Sequence, residues 1–214
     1  MFDKSIYVNR REKLKSKISG GIALLLGNEE SPMNYADNPF HFRQDSTFLY
    51  FFGIDYPGLA GIIDFDSGED YIFGDNVDME DIIWMGPQEK IEEKALKAGV
   101  VNRAQISKVA EFVDDAIKQG RRIHFLPPYR SENILKLEKL TGISSGKIND
   151  YTSPELIKAV VDLRSVKESC EIDEIRIACR LGYSMHMAAM EHALPGIWEQ
   201  YIAGILEGIA IKGG

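Results

Sequence analysis

Short apolar runs alternate with amphipathic segments over the first 150 residues, and this alternation limits the possible folds more than any other feature. Four runs are predicted to be strands, the first of them buried on both faces: "GIALLL" (residues 21–26), "LAGIIDF" (59–65), "DYIFG" (70–74) and "RRIHFLP" (121–127). The turn "DSG" (66–68) predicts a hairpin between the second and third runs. A further run, "TFLYFFGI" (47–54), is also predicted to be a strand.

Helical segments with recognisable ends separate these runs. "PQEKIEEKALKAG" (87–99), "SKVAEFVDDAIKQG" (107–120) and "SENILKLEKLTG" (131–142) each finish on glycine, and the last two begin on serine. Strands interleaved with helices of this length predict the α/β class, with a mixed β-sheet flanked by helices. Basic residues cluster in an N-terminal helix and are predicted to form its solvent-exposed face: Arg10, Arg11, Lys13, Lys15 and Lys17.

The pattern becomes entirely helical after about residue 150. Ser153 is predicted to cap the helix "PELIKAVVDLR", and "SVKE" (165–168) is predicted to be the capping box of a long helix that ends near "PG" (195–196). A third helix has an apolar stripe: Trp198, Ile202, Ile205, Leu206 and Ile209. No strand follows to cover this stripe, so we expect it to pack on the first domain or on residues outside this chain. We place a domain boundary between residues 160 and 161, and we expect the ending "IKGG" to be a cut rather than a natural terminus.

Composition and charge exclude several classes of function. The 214 residues have a net charge of -8, which argues against a nucleic-acid partner because phosphate binding needs clustered lysine and arginine. The longest apolar run is far too short to cross a membrane, and the N-terminus has no apolar core of a secretory signal, so we expect a cytoplasmic location. Cys170 and Cys179 are too far apart along one predicted helix for a disulfide, and reduced thiols fit an intracellular protein.

The sequence contains no convincing set of metal ligands or catalytic residues of its own. "GISSGK" (142–147) lacks a residue of a phosphate-binding loop, and "DNVDMED" (75–81) has Val77 and Met79 where a calcium loop needs oxygen ligands. His186 and His192 lie on different faces of one predicted helix and cannot bind one metal together. Asp64 and Asp66 border a turn, so we interpret them first as turn residues.

Two segments are candidates for a functional site. Arg43, Gln44 and Asp45 stand directly before the apolar run 47–54, where Asp45 or Ser46 is also suited to capping backbone N–H groups. Trp84 lies in "DIIWMG" (81–86), in an otherwise acidic region. On the residues alone, a capped turn and an amphipathic core residue are the alternative explanations.

Three segments in this order resemble the aminopeptidase P branch of the creatinase/prolidase family. "FRQDSTFLYFFGI" (42–54) and "DIIWMG" (81–86) are similar to marker motifs of its N-terminal domain. The segment from "LIKAVVDLRSVKE" (156–168) to "IAGIL" (202–206) is similar to the linker and opening helices of its catalytic domain. The resemblance implies a non-catalytic domain over residues 1–160, followed over residues 161–214 by the first helices of a catalytic domain that continues beyond this chain.

The resemblance also implies a function for the longer protein. Family members remove an N-terminal residue that precedes proline, using two metal ions, usually Mn²⁺, held by two Asp, one His and two Glu. All five ligands would follow residue 214, so this chain alone is expected to be inactive. The N-terminal domain would contribute to a homo-oligomer and cover an active site.

The resemblance gives the candidate residues possible roles. Trp84 would be an apolar wall of the substrate cleft, and Arg43, Gln44 and Asp45 would be polar contacts across a domain or subunit boundary. One departure concerns the segment after Trp84, where "MGPQEK" (85–90) replaces a basic continuation that contains arginine in the family. This departure removes the basis for expecting an arginine contact to substrate there.

Other functions are compatible with the same N-terminal fold. The longer protein would alternatively be a prolidase acting on dipeptides, a creatinase acting on a small amidine, or a relative that has lost its metal ligands and serves as a binding scaffold. The residues that distinguish these possibilities lie in the catalytic half.

Overall fold

A mixed five-stranded sheet forms the centre of the first part of the chain. The computed structural model describes all 214 residues, and its strands are β1 (Ile22–Leu26), β2 (Ala60–Asp64), β3 (Asp70–Phe73), β4 (Asn102–Ala104) and β5 (Ile123–His124). Their order in the sheet is β4-β3-β2-β1-β5. The pairs β1–β2 and β2–β3 are antiparallel, whereas β1–β5 and β3–β4 are parallel. The predicted mixed sheet flanked by helices is confirmed.

Seven α-helices and one 3₁₀ helix accompany the sheet. They are α1 (Lys4–Lys15), α2 (Ser46–Phe52), α3 (Met79–Met85), α4 (Ile91–Lys97), α5 (Lys108–Lys118), α6 (Ser131–Thr141), the 3₁₀ helix Ser145–Tyr151 and α7 (Pro154–Ser165). Ser153 caps α7 as predicted, since its Oγ accepts a hydrogen bond from the Leu156 amide at 3.2 Å. The cap of α6 is Arg130 rather than the predicted Ser131, which is the first residue of the helix.

Apolar side chains cover both faces of the sheet because alternate residues of each strand point in opposite directions. One core contains β1 and β2 residues packed with α1, α2 and α7: Leu14, Ala23, Leu25, Phe48, Phe51, Phe52, Ile63 and Leu156. The other core contains the alternate strand residues packed with α5 and α6: Ile22, Leu24, Ile62, Phe73, Val109, Val113 and Leu137. The helices therefore lie on both sides of the sheet.

The run at residues 47–54 is a helix, and the prediction of a strand there was wrong. Asp45 caps the start of α2, and Gly53 ends it in a left-handed conformation with φ of 69°. Phe48, Phe51 and Phe52 recur at helical spacing and are all fully buried in the core on one face of the sheet. Burial of this aromatic stripe, together with two strong end signals, outweighs the strand propensity of aromatic residues.

Two of the basic residues in α1 are buried, which contradicts their predicted place on a solvent-exposed face. Arg11 has no exposed surface. Its Nε donates to Asp70 Oδ2 at 2.7 Å and its Nη1 to the Phe51 carbonyl at 2.7 Å. Its Nη2 donates to the carbonyls of Ala98 and Gly99 at 2.9 and 3.2 Å. Arg11 thus binds carbonyls that the ends of α2 and α4 leave without helical partners.

Arg10 supports the same helix end. Its Nη1 donates to the Tyr50 carbonyl at 3.0 Å, and its guanidinium lies 4.0 Å from the centre of the Tyr50 ring. The charge is therefore held by a carbonyl dipole and an aromatic face inside the protein. The spacing of Tyr7, Arg10, Arg11 and Leu14 places the two arginines on the buried face of α1.

The turn at residues 66–68 has the predicted hairpin geometry. Asp64 Oδ1 accepts hydrogen bonds from the amides of Asp66 and Ser67 at 2.9 and 3.1 Å, and Gly68 adopts φ of 76°. Arg121 binds both carboxylates, with Nε 2.7 Å from Asp66 Oδ2 and Nη2 on Asp64 Oδ1. Asp64 and Asp66 are turn residues, as interpreted from the sequence.

Two helices form a second compact unit, which extends over Val166–Gly214, while the first unit is Met1–Ser165. Helix α8 (Ser169–His192) and helix α9 (Glu199–Gly213) pack against each other. Ser165 is the last residue of α7, so the predicted capping box at 165–168 does not form. The capping box of α8 begins instead at Glu168, whose amide donates to Glu171 Oε2 at 2.9 Å. Cys170 and Cys179 are free thiols, and no helix has the length and apolar content needed to span a bilayer.

Replacing Arg11 with methionine should strongly destabilise the first unit. The substitution keeps an unbranched apolar stem but leaves the carbonyls of Phe51, Ala98 and Gly99 without their donor. We expect the free energy of unfolding, measured by urea titration, to fall by about 3–5 kcal/mol. The control is Lys108→Met, which removes an exposed ion pair with Glu111 and should cost about 0–1 kcal/mol. Equal losses in the two variants would contradict the role given to Arg11.

Candidate functional site

Gln44 joins three backbone segments inside the first unit. Its side chain is only 2% exposed. Its Oε1 accepts hydrogen bonds from the amides of Asn28 and Asp45 at 2.6 and 2.9 Å, and its Nε2 donates to the Tyr56 carbonyl at 2.7 Å. The carboxamide therefore links the end of β1, the start of α2 and the loop that follows α2.

A glycine makes this linkage possible. A Cβ atom at Gly27 would lie 2.7 Å from the Leu59 carbonyl oxygen and 3.2 Å from the Gln44 carboxamide. The Gly27 amide also donates to that same carbonyl at 2.8 Å. Only glycine permits this close approach without displacing the backbone.

Asp45 is the N-cap of α2. Its Oδ1 accepts hydrogen bonds from the amides of Thr47 and Phe48, both at 2.9 Å. These amides have no partner within the helix, so the carboxylate satisfies them and also faces the positive end of the helix dipole. The residue predicted to cap a strand therefore caps a helix.

Arg43 directs its side chain into solvent, unlike its two neighbours. Its guanidinium makes no hydrogen bond or ion pair, while its backbone carbonyl accepts from Asn28 Nδ2 at 2.8 Å. Asn28 Nδ2 also donates to the Tyr129 hydroxyl at 3.2 Å. Of the three predicted polar residues, Arg43 is the one whose side chain is free to contact another molecule.

Trp84 is 82% exposed on α3, so it is not a core residue. Asp78 caps this short helix, with Oδ1 accepting from the Asp81 amide at 2.9 Å. Three other exposed apolar side chains belong to the same helix: Met79, Ile83 and Met85. We call these four residues the α3 patch. Exposing four large apolar side chains on a single seven-residue helix is typical of a surface that contacts another molecule.

The structure brings Gln44 and Asp45 together through one hydrogen bond, but no hydrogen bond or ring contact joins them to Trp84. The Tyr56 carbonyl accepts a hydrogen bond from Gln44 Nε2. Burial, and after it the charge of Asp81, raises the pKa of Tyr56. Sequence reasoning missed Asn28 and Tyr56. A polar residue directly after the buried run 21–26 was the available signal for Asn28.

The four candidate residues contact backbone groups or lie at the surface. No group of three or more His, Cys, Asp or Glu side chains is arranged to bind a metal ion. Gln44 and Asp45 use their polar atoms on backbone groups, and Arg43 and Trp84 are surface residues. Such an arrangement can position backbone and contact a partner, but it offers no nucleophile paired with a base.

Comparison with known proteins identifies the family. A family model described as "Aminopeptidase P, N-terminal domain" matches residues 7–124, which include both candidate motifs and all five strands. The chain belongs to the aminopeptidase P N-terminal domain family. The family resemblance drawn from the sequence is confirmed.

Individual relatives agree with this assignment. An uncharacterised peptidase of Saccharomyces cerevisiae is 27% identical over 192 residues, covering 90% of this chain and 33% of the relative. The human Xaa-Pro dipeptidase is 25% identical over 195 residues, covering 88% of this chain and 38% of the relative. The chain therefore spans between a third and two fifths of the length of these curated relatives.

A solved structure shows the same fold. The aminopeptidase PepP of Pseudomonas aeruginosa superimposes with a TM-score of 0.82 at 24% identity, covering all of this chain and 50% of that one. Several relatives of this domain are named as hydrolases of Xaa-Pro peptides.

Removing the cap of α2 should destabilise the first unit measurably. In Asp45→Ala the amides of Thr47 and Phe48 lose their acceptor, so we expect the free energy of unfolding to fall by about 1–2 kcal/mol. The neighbouring Ser46→Ala is the matched control and should change it by no more than about 0.5 kcal/mol, because Ser46 is exposed and makes no cap bond. Urea unfolding followed by circular dichroism measures both, and an unchanged Asp45→Ala midpoint would contradict the capping role.

Proposed function

We propose that this chain is the non-catalytic N-terminal part of a metal-dependent Xaa-Pro aminopeptidase. The observation that carries the proposal is the family match over the first unit, combined with the presence of this unit within longer relatives named as Xaa-Pro peptidases. The longer protein would remove an N-terminal residue that precedes proline.

The metal site of that enzyme would lie outside the residues described here. The resemblance implies two Mn²⁺ ions, and the side chains of this chain do not fit such a site because none of its acidic, histidine or cysteine residues form a ligand group. The ligands would come from the rest of the longer protein. The contribution of the first unit would be structural, through its surface.

The surface that best fits this contribution is the α3 patch. We propose that Trp84 lines the substrate cleft of its own or a neighbouring subunit in a homo-oligomer. Its exposure supports this role, because a residue already held at the surface needs no rearrangement to meet a second surface. Arg43 is the matching candidate for a polar contact across that boundary, whereas Gln44 and Asp45 would act only by fixing the backbone beside it. We further propose a cytoplasmic location.

A second candidate function is supported by the relatives. The human relative is named as an Xaa-Pro dipeptidase, and it matches with an identity similar to that of the Escherichia coli Xaa-Pro aminopeptidase, 25% against 23%. The longer protein would then cleave dipeptides rather than longer peptides. A relative without intact metal ligands, acting as a scaffold, is the non-enzymatic alternative.

An assay with three substrates tests the proposed function. The longer protein loaded with Mn²⁺ should release the first residue from an Xaa-Pro-Xaa tripeptide and act much more slowly on an Xaa-Pro dipeptide and on a tripeptide without proline. The 214-residue chain alone should release nothing. Preference for the dipeptide would favour the dipeptidase. A folded longer protein that neither binds Mn²⁺ nor cleaves any of the three substrates would favour the scaffold. Turnover by the 214-residue chain alone would contradict the assignment of catalysis to other residues.

Replacing Trp84 tests the role of the α3 patch. In the longer protein, Trp84→Ala should lower kcat/KM for the tripeptide by about tenfold or more, since an apolar wall contributes that order of discrimination. The free energy of unfolding should change by no more than about 0.5 kcal/mol, because the ring is exposed. Tyr151→Ala, which removes another exposed aromatic ring, is the control and should leave kcat/KM unchanged. An unaltered rate for Trp84→Ala would exclude the cleft role.

A further inference from the structure

His124 is a buried histidine that contacts three parts of the first unit. Its ring, in β5, is only 1% exposed. Its Nδ1 lies 2.7 Å from Ser153 Oγ at the start of α7, and its Nε2 lies 3.2 Å from the Gly20 carbonyl oxygen just before β1. The Phe65 ring meets it edge-on, with the ring centres 5.7 Å apart. The imidazole therefore connects β5 to the start of α7 and to the entry of β1.

The partners of the ring determine which nitrogen carries its proton. A carbonyl oxygen can only accept, so Nε2 must be protonated and donate to Gly20. Nδ1 is then an acceptor for the Ser153 hydroxyl hydrogen. Ser153 Oγ keeps a lone pair for the Leu156 amide, which donates to it at 3.2 Å. The imidazole and the hydroxyl are thus fully hydrogen-bonded when His124 is neutral.

A second proton on the ring would break this arrangement. Nδ1–H would then face the hydroxyl hydrogen of Ser153, and the hydroxyl would have to turn away from the ring. The other partner of Ser153 Oγ is the Leu156 amide, which is itself a donor and cannot receive the hydroxyl hydrogen. Protonation would therefore leave a buried hydroxyl without its acceptor, which costs free energy.

The charges around His124 do not compensate a cation on its ring. The carboxylates of Glu155 and Asp66 each bind an arginine already, at 3.1 and 2.7 Å, and neither forms an ion pair with the imidazole. Burial, and after it the charge of Arg122, lowers the pKa of His124 below its usual 6.5. The Gly20 carbonyl and the charges of Glu155 and Asp66 oppose this shift without reversing it.

The same pair of side chains is not arranged for nucleophilic catalysis. A serine hydroxyl bonded to a histidine is a common combination of nucleophile and base. Here both side chains are buried, and Nε2 binds a backbone carbonyl. A substrate could not reach Ser153 Oγ, so the pair acts on the fold itself.

We propose that His124 and Ser153 form a proton-sensitive link, which holds the start of α7 against β5 when the ring is neutral and loosens it when the ring takes up a proton. Loosening would uncover Leu156, a fully buried residue of the core that α7 shares with α1 and α2. The other end of α7 has a separate contact, since the Tyr50 hydroxyl donates to the Leu163 carbonyl at 3.1 Å. The link responds to mild acid whether or not the longer protein is a peptidase.

Nitrogen-15 NMR of the histidine rings tests the proton arrangement in the 214-residue chain. At about pH 7.5, His124 should have a protonated Nε2 and an unprotonated Nδ1. Acid titration of this ring should give a midpoint below 6.5. The opposite tautomer, or a midpoint at or above 6.5, would overturn the proposal.

The pH dependence of unfolding tests the effect of the link on stability. Well above pH 6.5 the ring is neutral in the folded and the unfolded chain alike, whereas below it the unfolded chain takes up the proton first. From about pH 7.5 to about pH 5.5, the unfolding equilibrium constant from urea titrations should therefore rise by about three- to tenfold. The protection of the Leu156 amide against hydrogen exchange, corrected for its intrinsic rate, should fall by a similar factor.

Two matched variants assign this response to one ring. His124→Asn keeps a carboxamide that can accept from Ser153 but cannot take up a proton, so the unfolding constant should rise by less than about twofold over the same pH interval. His41→Asn removes an exposed histidine and should keep the full rise. Equal rises in His124→Asn and the natural chain would overturn the proposal, as would Leu156 protection that does not change with pH. If His124→Asn does not fold, the His124 midpoint and the Leu156 exchange in the natural chain decide the outcome.

Discussion

The buried guanidinium of Arg11 is the interaction on which the arrangement of the first unit depends. Four of its hydrogen bonds reach three separate places in the fold: the end of α2, the start of β3 and the end of α4. An ammonium group could not replace it, because the planar fork of arginine aims several donors in fixed directions at once. Asp70 supplies the compensating charge, and Lys15 contacts the second oxygen of that carboxylate at 3.0 Å. A charge that would normally be excluded from the interior thus joins α2, which follows the first candidate motif, to β3 and to the end of α4.

Much of this architecture could be predicted from the sequence because local signals and tertiary packing agree. The strands β1, β2 and β3, the turn at Gly68 and the cap at Ser153 all follow from residues whose preferences match their surroundings. Helix α2 was missed because a run of aromatic residues has strand propensity, and only its burial stripe and its two ends indicate a helix. The burial of Arg10 and Arg11 was missed because their partners are backbone carbonyls distant in sequence, which no local pattern records.

The candidate residues could be named from the sequence, but the groups that each side chain contacts could not. Arg43, Gln44 and Asp45 are consecutive, yet their side chains point to solvent, to the interior and to a helix end. The residue type of Trp84 would also suit a core position. Only the exposure of α3 in the structure shows that Trp84 belongs to a surface. The two motifs therefore differ in kind: the first fixes backbone through Gln44 and Asp45, and the second displays apolar surface.

The contacts of Arg11 also have a consequence for the order in which the protein is made. The acceptors at Ala98 and Gly99 lie 87 and 88 residues downstream of Arg11. During synthesis from the N-terminus, α1 therefore leaves the ribosome carrying an arginine whose final partners do not yet exist. Closing so long a loop is slow relative to local structure formation, so stable docking of α1 must wait until the chain has been translated past Gly99. Until then, the aromatic face of α2 lacks one of the helices that finally cover it, and exposed apolar surface of this kind makes a partly folded chain prone to aggregation.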